Sequence, residues 1–198
     1  VVSSTRLATD TEEGRVAQTL ERAGVEVAQA PNAVFAAMSP VRTPSGLVAI
    51  ATRRPASTRD VCSVADALVL VAIDVQDPGN VGALVRTAEA GGMSGMFVAG
   101  ASASPFSWKA IPGRGIHRRP SNQSRGMPAA SVLTCLKSSG IRCIAAVPRG
   151  GEAPDAIDWR GKVALIVGGE GAGLSDDVTS NCAALVSIPM AARVESLN

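Results

Sequence analysis

Hydrophobic and polar positions divide the chain into two regions with different patterns. In the first region, residues 9 to 24 open with acidic residues, place Val16 and Leu20 one helical step apart, and end at a glycine. This arrangement predicts a short surface helix. Residues 34 to 38 indicate a short extended or buried piece, and residues 46 to 51 indicate a strand. The first region is therefore predicted to be a small α/β unit.

The second region alternates between strand and helix patterns. Apolar stretches typical of buried strands occupy residues 68–73, 96–99, 141–147, 163–167 and 185–188. Two sets of residues have the i, i+3, i+4, i+7 spacing of one helix face: Val81, Leu84, Val85 and Ala88, and Ala129, Val132, Leu133 and Leu136. Strands that are apolar on both faces and separated by helices are typical of parallel sheets covered on both sides. The pattern predicts an α/β fold with a mostly parallel sheet and helices on both faces.

The stretch between the two regions has no long apolar period. Residues 52 to 65 are rich in Arg, Ser, Thr and Pro, which is typical of a linker. We therefore predict a domain boundary near residue 64, with one domain over residues 1–63 and a second over residues 64–198.

Composition supports a globular protein and allows nucleic acid as a partner without indicating it. The 198 residues are 46% hydrophobic and only 3% aromatic, and their formal net charge is +2. A basic face can be present within such a balanced total. No apolar run approaches the roughly 20 residues that a membrane span needs, and no secretory leader pattern opens the chain. We expect a cytoplasmic protein without a membrane partner. Because the chain starts at Val1 and stops in an unfinished pattern, we also expect it to be truncated at both ends.

The cysteines and the histidine do not suggest a metal centre. The four cysteines have no C-x-x-C spacing, and the single histidine is His117. A structural zinc site would have almost no ligands to draw on, so we expect no metal and free thiols in a reducing compartment.

The first of three segments that suggest chemistry is residues 77–86, DPGNVGALVR, which follows the first strand of the second domain. Pro78 and Gly79 are typical of a turn, and Asn80 is a good N-cap for the next helix. Arg86 lies off the apolar stripe, so its guanidinium is free to face a cleft. A capped helix with one solvated arginine would have the same sequence.

The second segment is residues 166–175, IVGGEGAGLS, a strand followed by a glycine-rich loop and a helix with Ser175 as its predicted N-cap. Glycines let a backbone approach a ligand and expose N–H groups. A dinucleotide-binding loop normally follows the first strand and precedes an acidic residue by about 20 positions. This loop lies near the end of the chain, so the segment gives weak support to that reading. A glycine-rich turn without a ligand is the alternative.

The third segment covers residues 186–198, VSIPMAARVESLN, where the pattern predicts a strand that ends at a proline and, in the last residues, the first turn of a helix. Together, the motifs N-x-G-x-x-x-R, G-x-E-G-x-G-L-S, I-P-M and S-L-N resemble the SpoU/TrmH family of the SPOUT RNA methyltransferases. The resemblance covers roughly residues 66 to 198. Residues 34–39 and 43–51 are similar to part of the small RNA substrate-binding domain that often precedes this family's catalytic domain.

The resemblance implies a fold with a trefoil knot, a homodimer for the complete protein, and 2'-O-methylation of an RNA ribose by S-adenosylmethionine. The resemblance also favours ribosomal RNA over transfer RNA as the substrate, because a small substrate-binding domain precedes the catalytic domain. The implied cofactor-binding positions are Gly168, Gly169, Ile188, Met190 and Leu197. The implied catalytic positions are Asn80, Arg86, Glu170, Ser196 and Asn198.

These residue types suit a methyl transfer, which mainly requires alignment of two reactants and loss of a hydroxyl proton. A guanidinium holds its proton too tightly to be a general base. We therefore hypothesise that Arg86 binds the RNA phosphate and stabilises the developing alkoxide, while Asn80, Glu170 and Ser196 orient it.

Two departures from the family pattern leave alternatives open. Residues 111–125 do not match the family after the F-S-W-K-A segment, and they are either an arginine-rich RNA-contacting loop or aberrant sequence. The helix that the family opens with S-L-N would follow Asn198, and without it we expect weak cofactor binding and poor dimerisation. A catalytically inactive RNA-binding or ribosome-assembly protein on the same scaffold is therefore the main alternative. A nucleotide-dependent oxidoreductase is favoured only by the glycine-rich loop.

Overall fold

The computed structural model describes residues 1–5, 7–39, 41, 44–50, 52, 57–110 and 126–190. The chain forms two compact units, Val1–Arg53 and Arg54–Asn198. The division lies about ten residues before the boundary that the sequence suggested.

The first unit contains a three-stranded sheet and two helices. Its elements are β1 (Val2–Ser4), α1 (Glu12–Arg22), β2 (Ala28–Ala30), α2 (Asn32–Met38) and β3 (Leu47–Val48). The strand order is β2-β1-β3, with β1 parallel to β2 and antiparallel to β3. The predicted surface helix is confirmed as α1, which Thr11 caps by accepting a hydrogen bond from the Gly14 N–H at 3.1 Å.

Residues 34–38, predicted to be a short extended or buried piece, are part of the helix α2, so the extended alternative was wrong. The segment is rich in alanine, which has the highest helix propensity, and Pro31 precedes its first turn. Phe35 is its buried side chain. The run of small apolar residues had suggested a strand because periodicity cannot distinguish a short buried helix from a strand.

The second unit is a five-stranded sheet with helices. Its strands are β4 (Leu68–Ile73), β5 (Gly95–Ala99), β6 (Arg142–Ala146), β7 (Val163–Gly168) and β8 (Ala184–Val186). Its helices are α3 (Thr58–Cys62), α4 (Pro78–Ala90), α5 (Ala129–Ser138) and α6 (Asp176–Thr179). The strand order is β5-β4-β7-β6-β8, and each neighbouring pair is parallel. The predicted parallel α/β sheet is confirmed.

Helices cover both faces of this sheet, as the apolar pattern predicted. On one face, Val81, Val85 and Ala88 of α4 pack against β4 and β5. On the other face, the buried residues of α3, α5 and α6 pack against alternate residues of the strands. Within the described part of the chain, none of the helices has the length and apolar character of a membrane span.

The predicted linker contains a helix that belongs to the second unit. In α3, the Ser57 side chain accepts from the Asp60 N–H and the Asp60 carboxylate accepts from the Ser57 N–H, both at 3.1 Å, which forms a capping box. Hydrogen bonds to the Asp60 carboxyl from the side chain and the backbone N–H of Ser57 lower its pKa. Val61 and Cys62 are buried in the hydrophobic core of the second unit. A five-residue helix shows one turn of amphipathic pattern, which is too little to recognise among polar residues.

The four cysteines are free thiols, in agreement with their spacing. Cys62 and Cys143 are buried, and burial raises the pKa of both thiols. Burial also raises the pKa of Cys182 to about 11. These three thiols are therefore protonated and poorly nucleophilic near neutral pH.

Candidate functional site

The carboxyl ends of parallel strands meet at one edge of a sheet, which is where α/β proteins place their sites. At this edge, the loop after β4 and the loop after β5 are joined by hydrogen bonds. The Val75 N–H donates to the Ser102 hydroxyl at 3.0 Å, and the Ala103 N–H donates to the Val75 carbonyl at 2.8 Å. The Ala101 N–H donates to the Asp74 carboxylate at 2.7 Å. The two loops therefore form one fixed rim.

A hollow of about 260 Å³ opens between the loop after β4 and the glycine-rich loop after β7. Its lining comes from Asp74, Val75, Gln76 and Asp77 on one side and from Gly169, Glu170, Ala172 and Gly173 on the other. The two loops adjoin because Ile73 pairs with Gly168 at the ends of β4 and β7. Two segments that lie about 90 residues apart in sequence thus share one concave surface.

Asn80 is in direct contact with Glu170, one of the residues that line this hollow. The Asn80 side-chain amide donates a hydrogen bond to the Glu170 carboxylate. A hydrogen bond to an ionised carboxylate is stronger than one between neutral groups. The contact joins the first predicted motif to the second and fixes the orientation of the Asn80 amide.

The prediction that Asn80 is the N-cap of α4 was wrong. The helix begins at Pro78, and Asp77 is its N-cap, with the Asp77 carboxylate accepting from the Asn80 N–H at 2.9 Å. Proline suits the first helical position because its φ is already helical and its missing N–H is not needed there. Since Asp77 supplies the cap, the Asn80 side chain is available for Glu170.

Arg86 lies on the same helix, six residues after Asn80, and its side chain is exposed. The sequence had predicted that Arg86 avoids the apolar stripe, and the neighbouring Val85 is buried instead. Among the described residues, neither Asn80 nor Glu170 bonds to the Arg86 guanidinium. In the described residues, the Asn80 amide and the Glu170 carboxylate are therefore oriented toward each other and not toward Arg86.

Two glycines of the loop after β7 have a structural role in addition to the predicted one of letting the backbone approach a ligand. A Cβ on Gly168 would lie 2.4 Å from the carbonyl carbon of Gly173, and one on Gly169 would lie 2.0 Å from the carbonyl oxygen of Asp74. Gly173 donates its N–H to the Gly169 carbonyl at 3.1 Å. These glycines thus allow backbone to pack on backbone, which builds the wall of the hollow.

Ile188 and Met190 follow β8, whose carboxyl end lies at the same edge of the sheet. Ile188 is 57% exposed. Just before them, Ser187 is held by the loop after β6: its N–H donates to the Glu152 carbonyl and its hydroxyl donates to the Gly151 carbonyl, both at 2.9 Å. The segment that carries these two predicted cofactor positions is therefore tied at its start to the loop after β6.

The sequence reasoning missed Asp74, which lines the hollow and fixes the neighbouring loop. Asp74 has a φ of 57°, a left-handed conformation that aspartate tolerates better than most residues. A Cβ on Gly100 would lie 2.2 Å from an Asp74 carboxylate oxygen. The sequence feature that could have indicated Asp74 is its position directly after the buried strand β4.

Gly82, the glycine of N-x-G, allows a close approach that the sequence did not reveal. A Cβ at this position would lie 2.4 Å from the Ala110 carbonyl oxygen and 2.9 Å from its Cα. The loop after β5 therefore rests on α4, two residues from Asn80.

Three predicted site residues, Ser196, Leu197 and Asn198, lie outside the described residues, as does the arginine-rich segment 111–125. The roles assigned to them stay predictions.

Comparison with known proteins agrees with the fold and the motifs. A family model described as the SpoU rRNA Methylase family matches residues 67–198. An uncharacterized tRNA/rRNA methyltransferase from Mycobacterium tuberculosis is 38% identical over 134 residues, which are 66% of this chain and 41% of that protein. The crystal structure of an AdoMet-bound rRNA methyltransferase from Sinorhizobium meliloti superposes with a TM-score of 0.80 at 27% identity, over 94% of this chain and 72% of that one. A crystal structure described as an RNA 2'-O ribose methyltransferase gives a TM-score of 0.71 at 26% identity, over 100% and 74% of the two chains.

The strand order, the parallel pairing and these similarities define the fold as that of the SPOUT methyltransferases. The chain belongs to the SpoU rRNA methylase family, since the matching model covers most of its length. The resemblance predicted from the three motifs is confirmed. The matched region spans less than half of the length of the curated relatives.

Proposed function

We propose that the protein transfers a methyl group from S-adenosylmethionine to a ribose 2'-hydroxyl of RNA, with ribosomal RNA as the substrate. The observation that carries the proposal is the contact between Asn80 and Glu170 at the rim of the hollow. It unites two motifs of the family at the carboxyl edge of the sheet. The matching family and the relatives, described as rRNA, tRNA/rRNA and RNA 2'-O ribose methyltransferases, support the same reaction class.

The residues at this edge fit S-adenosylmethionine. The glycine-rich loop keeps the hollow free of side chains at Gly169 and Gly173, and its backbone is close enough to the loop after β4 to form a narrow wall. Gly168, Gly169, Ile188, Met190 and Leu197 would hold the cofactor. When bound, S-adenosylmethionine supplies an electrophilic methyl group with a good leaving group.

The remaining work is alignment of the hydroxyl, whose oxygen forms the new bond to the methyl group while its proton passes to solvent. Glu170 holds the Asn80 amide in one orientation, so the amide oxygen presents a fixed acceptor to a donor on the substrate. Arg86, exposed on the same helix, would bind an RNA phosphate through its planar fork and stabilise negative charge on the attacking oxygen. Ser196 and Asn198 would complete this cluster.

We also propose the wider organisation that the resemblance implies. The first unit, over Val1–Arg53, would bind the RNA substrate, and the complete protein would be a cytoplasmic homodimer with a trefoil knot. Neither dinucleotide binding nor an oxidoreductase is needed to explain the glycine-rich loop, because backbone packing requires Gly168 and Gly169, and Gly171 and Gly173 have positive φ angles.

The test is incorporation of tritiated methyl groups from S-adenosylmethionine into bacterial rRNA from cells that lack the gene, followed by mapping of the modified ribose. We expect a single 2'-O-methylated position. Arg86→Lys should reduce turnover by about 10- to 1000-fold, because a lysine does not reproduce the bidentate fork. Thr87→Ala, on the neighbouring exposed position of α4, is the matched control. Undiminished turnover of Arg86→Lys would refute the role of Arg86, and RNA binding without methylation by the complete protein would favour the inactive alternative.

A further inference from the structure

An exposed tryptophan stands beside the proposed active site in the loop after β5. Trp108 is 52% exposed, in a chain with two tryptophans, three phenylalanines and no tyrosine. The Lys109 ammonium lies 5.3 Å from the centroid of its ring, which is a cation–π contact. The proposed reaction assigns no role to this pair.

The loop holds Trp108 and Lys109 between two buried anchors. Pro105 and Ala110 are both fully buried. The Ser107 N–H donates to the Ser104 carbonyl at 3.0 Å, and the Ala110 N–H donates to the Ser107 carbonyl at 2.9 Å. The exposed indole is thus displayed from a turn whose two ends are fixed, so little conformational entropy is lost when a ligand binds to it.

The position of the turn relates it to the proposed site. The Ala110 backbone rests on Gly82, two residues from Asn80. At the other end of the loop, Ala101 and Ala103 are bonded to Asp74 and Val75, which line the hollow. A strand of RNA whose ribose reached Asn80 would therefore pass close to the indole.

We propose that Trp108 is a base-stacking platform that positions an unpaired RNA base next to the target ribose, an inference that rests on the proposed function. An indole offers a π face to any base, and stacking of this kind is a usual means of holding single-stranded RNA. Lys109 occupies one face of the ring and steadies it, while the other face receives the base. The ammonium also provides a contact for the adjoining phosphate. A flat aromatic ring beside a cation matches the base and the phosphate of a nucleotide better than it matches a purely apolar surface of a partner protein.

The test uses the small number of tryptophans. Trp159, the second one, donates its indole N–H to the Pro154 carbonyl at 2.7 Å and packs beside Ile157 and Val163. In a Trp159→Phe background, emission therefore reports on Trp108 alone. Homopolymeric single-stranded adenylate and uridylate oligonucleotides, labelled with fluorescein, are titrated so that anisotropy gives RNA binding and emission gives contact with the indole.

We expect Trp108 emission to be quenched, with the same half-saturation as the anisotropy change and more strongly for adenylate than for uridylate. Trp108→Ala should weaken RNA binding by roughly 5- to 100-fold, and Trp108→Phe by less, because a smaller ring still stacks. Val64→Ala is the control, since Val64 is exposed, precedes β4 and lies toward the opposite edge of the sheet. Thermal unfolding of each variant separates lost stacking from lost structure.

Two results would overturn the inference. If RNA binds while emission and the Trp108→Ala affinity are unchanged, the stacking role is refuted and the proposed function stands. If neither the oligonucleotides nor rRNA binds to the complete protein, the stacking role and the proposed function fail together.

Discussion

Substitution of Gly82 by alanine tests the backbone packing that connects α4 to the loop after β5. By helix propensity alone, the change should stabilise α4, because glycine inside a helix costs roughly 0.5–1 kcal/mol relative to alanine. The structure predicts the opposite sign. The added Cβ would lie 2.4 Å from the Ala110 carbonyl oxygen and 3.0 Å from its carbonyl carbon. These are backbone atoms, so the whole loop must move.

The size of the effect follows from these two opposing contributions. Overpacking of a fixed interior contact costs about 1–3 kcal/mol. After subtraction of the gain in helix propensity, we expect a net loss of up to about 2.5 kcal/mol in the free energy of unfolding. The urea midpoint should decrease, and the indole environment of Trp108 should change, because its turn ends at Ala110.

Urea unfolding followed by tryptophan fluorescence is the appropriate assay, since both tryptophans belong to the unit Arg54–Asn198. Thr87→Ala, at an exposed position of the same helix, is the matched control and should gain about 0.5 kcal/mol. If Gly82→Ala stabilises the protein as much as Thr87→Ala does, the close contact between α4 and Ala110 does not exist in solution.

Three further predictions concern the contact between Asn80 and Glu170, the boundary between the two units and the half-buried thiol of Cys182. A double-mutant cycle with Asn80→Ala and Glu170→Ala should give a coupling energy of about 0.5–1.5 kcal/mol in urea unfolding, and additive losses would contradict the hydrogen bond. A fragment over residues 54–198 should be more stable than one over residues 64–198, which lacks the two buried residues of α3; equal urea midpoints would show that α3 is a linker after all. Burial raises the pKa of Cys182 from 9.0 to about 11, so the stability that its neutral thiol contributes is complete below pH 9 and is lost as the pH rises toward 11. Unfolding midpoints measured across this range should fall, and Cys182→Ala should flatten the fall; an unchanged slope in the variant would assign it to other groups.

The sequence by itself determined the parallel sheet and the family. Buried parallel strands are apolar along their whole length, so β4 was predicted with the bounds that the structure has, and α4 and α5 followed from their apolar stripes. The motifs were recognisable because a turn, a cap and a glycine-rich loop each need particular residue types at fixed spacing. Short helices gave no such pattern. The helices α3 and α2 have only five and seven residues, so the sequence predicted a linker at α3 and an extended or buried piece at α2.

Only the tertiary structure decided which residues meet. The hydrogen bond between Asn80 and Glu170 depends on the pairing of β4 with β7, and strand order is not written in the local pattern of either segment. The close approaches at Gly82 and Gly169 likewise involve backbone atoms from distant parts of the chain. A glycine in a sequence indicates that a side chain is not tolerated, but its neighbours exist only once the chain has folded, because packing is a property of segments that adjoin in space.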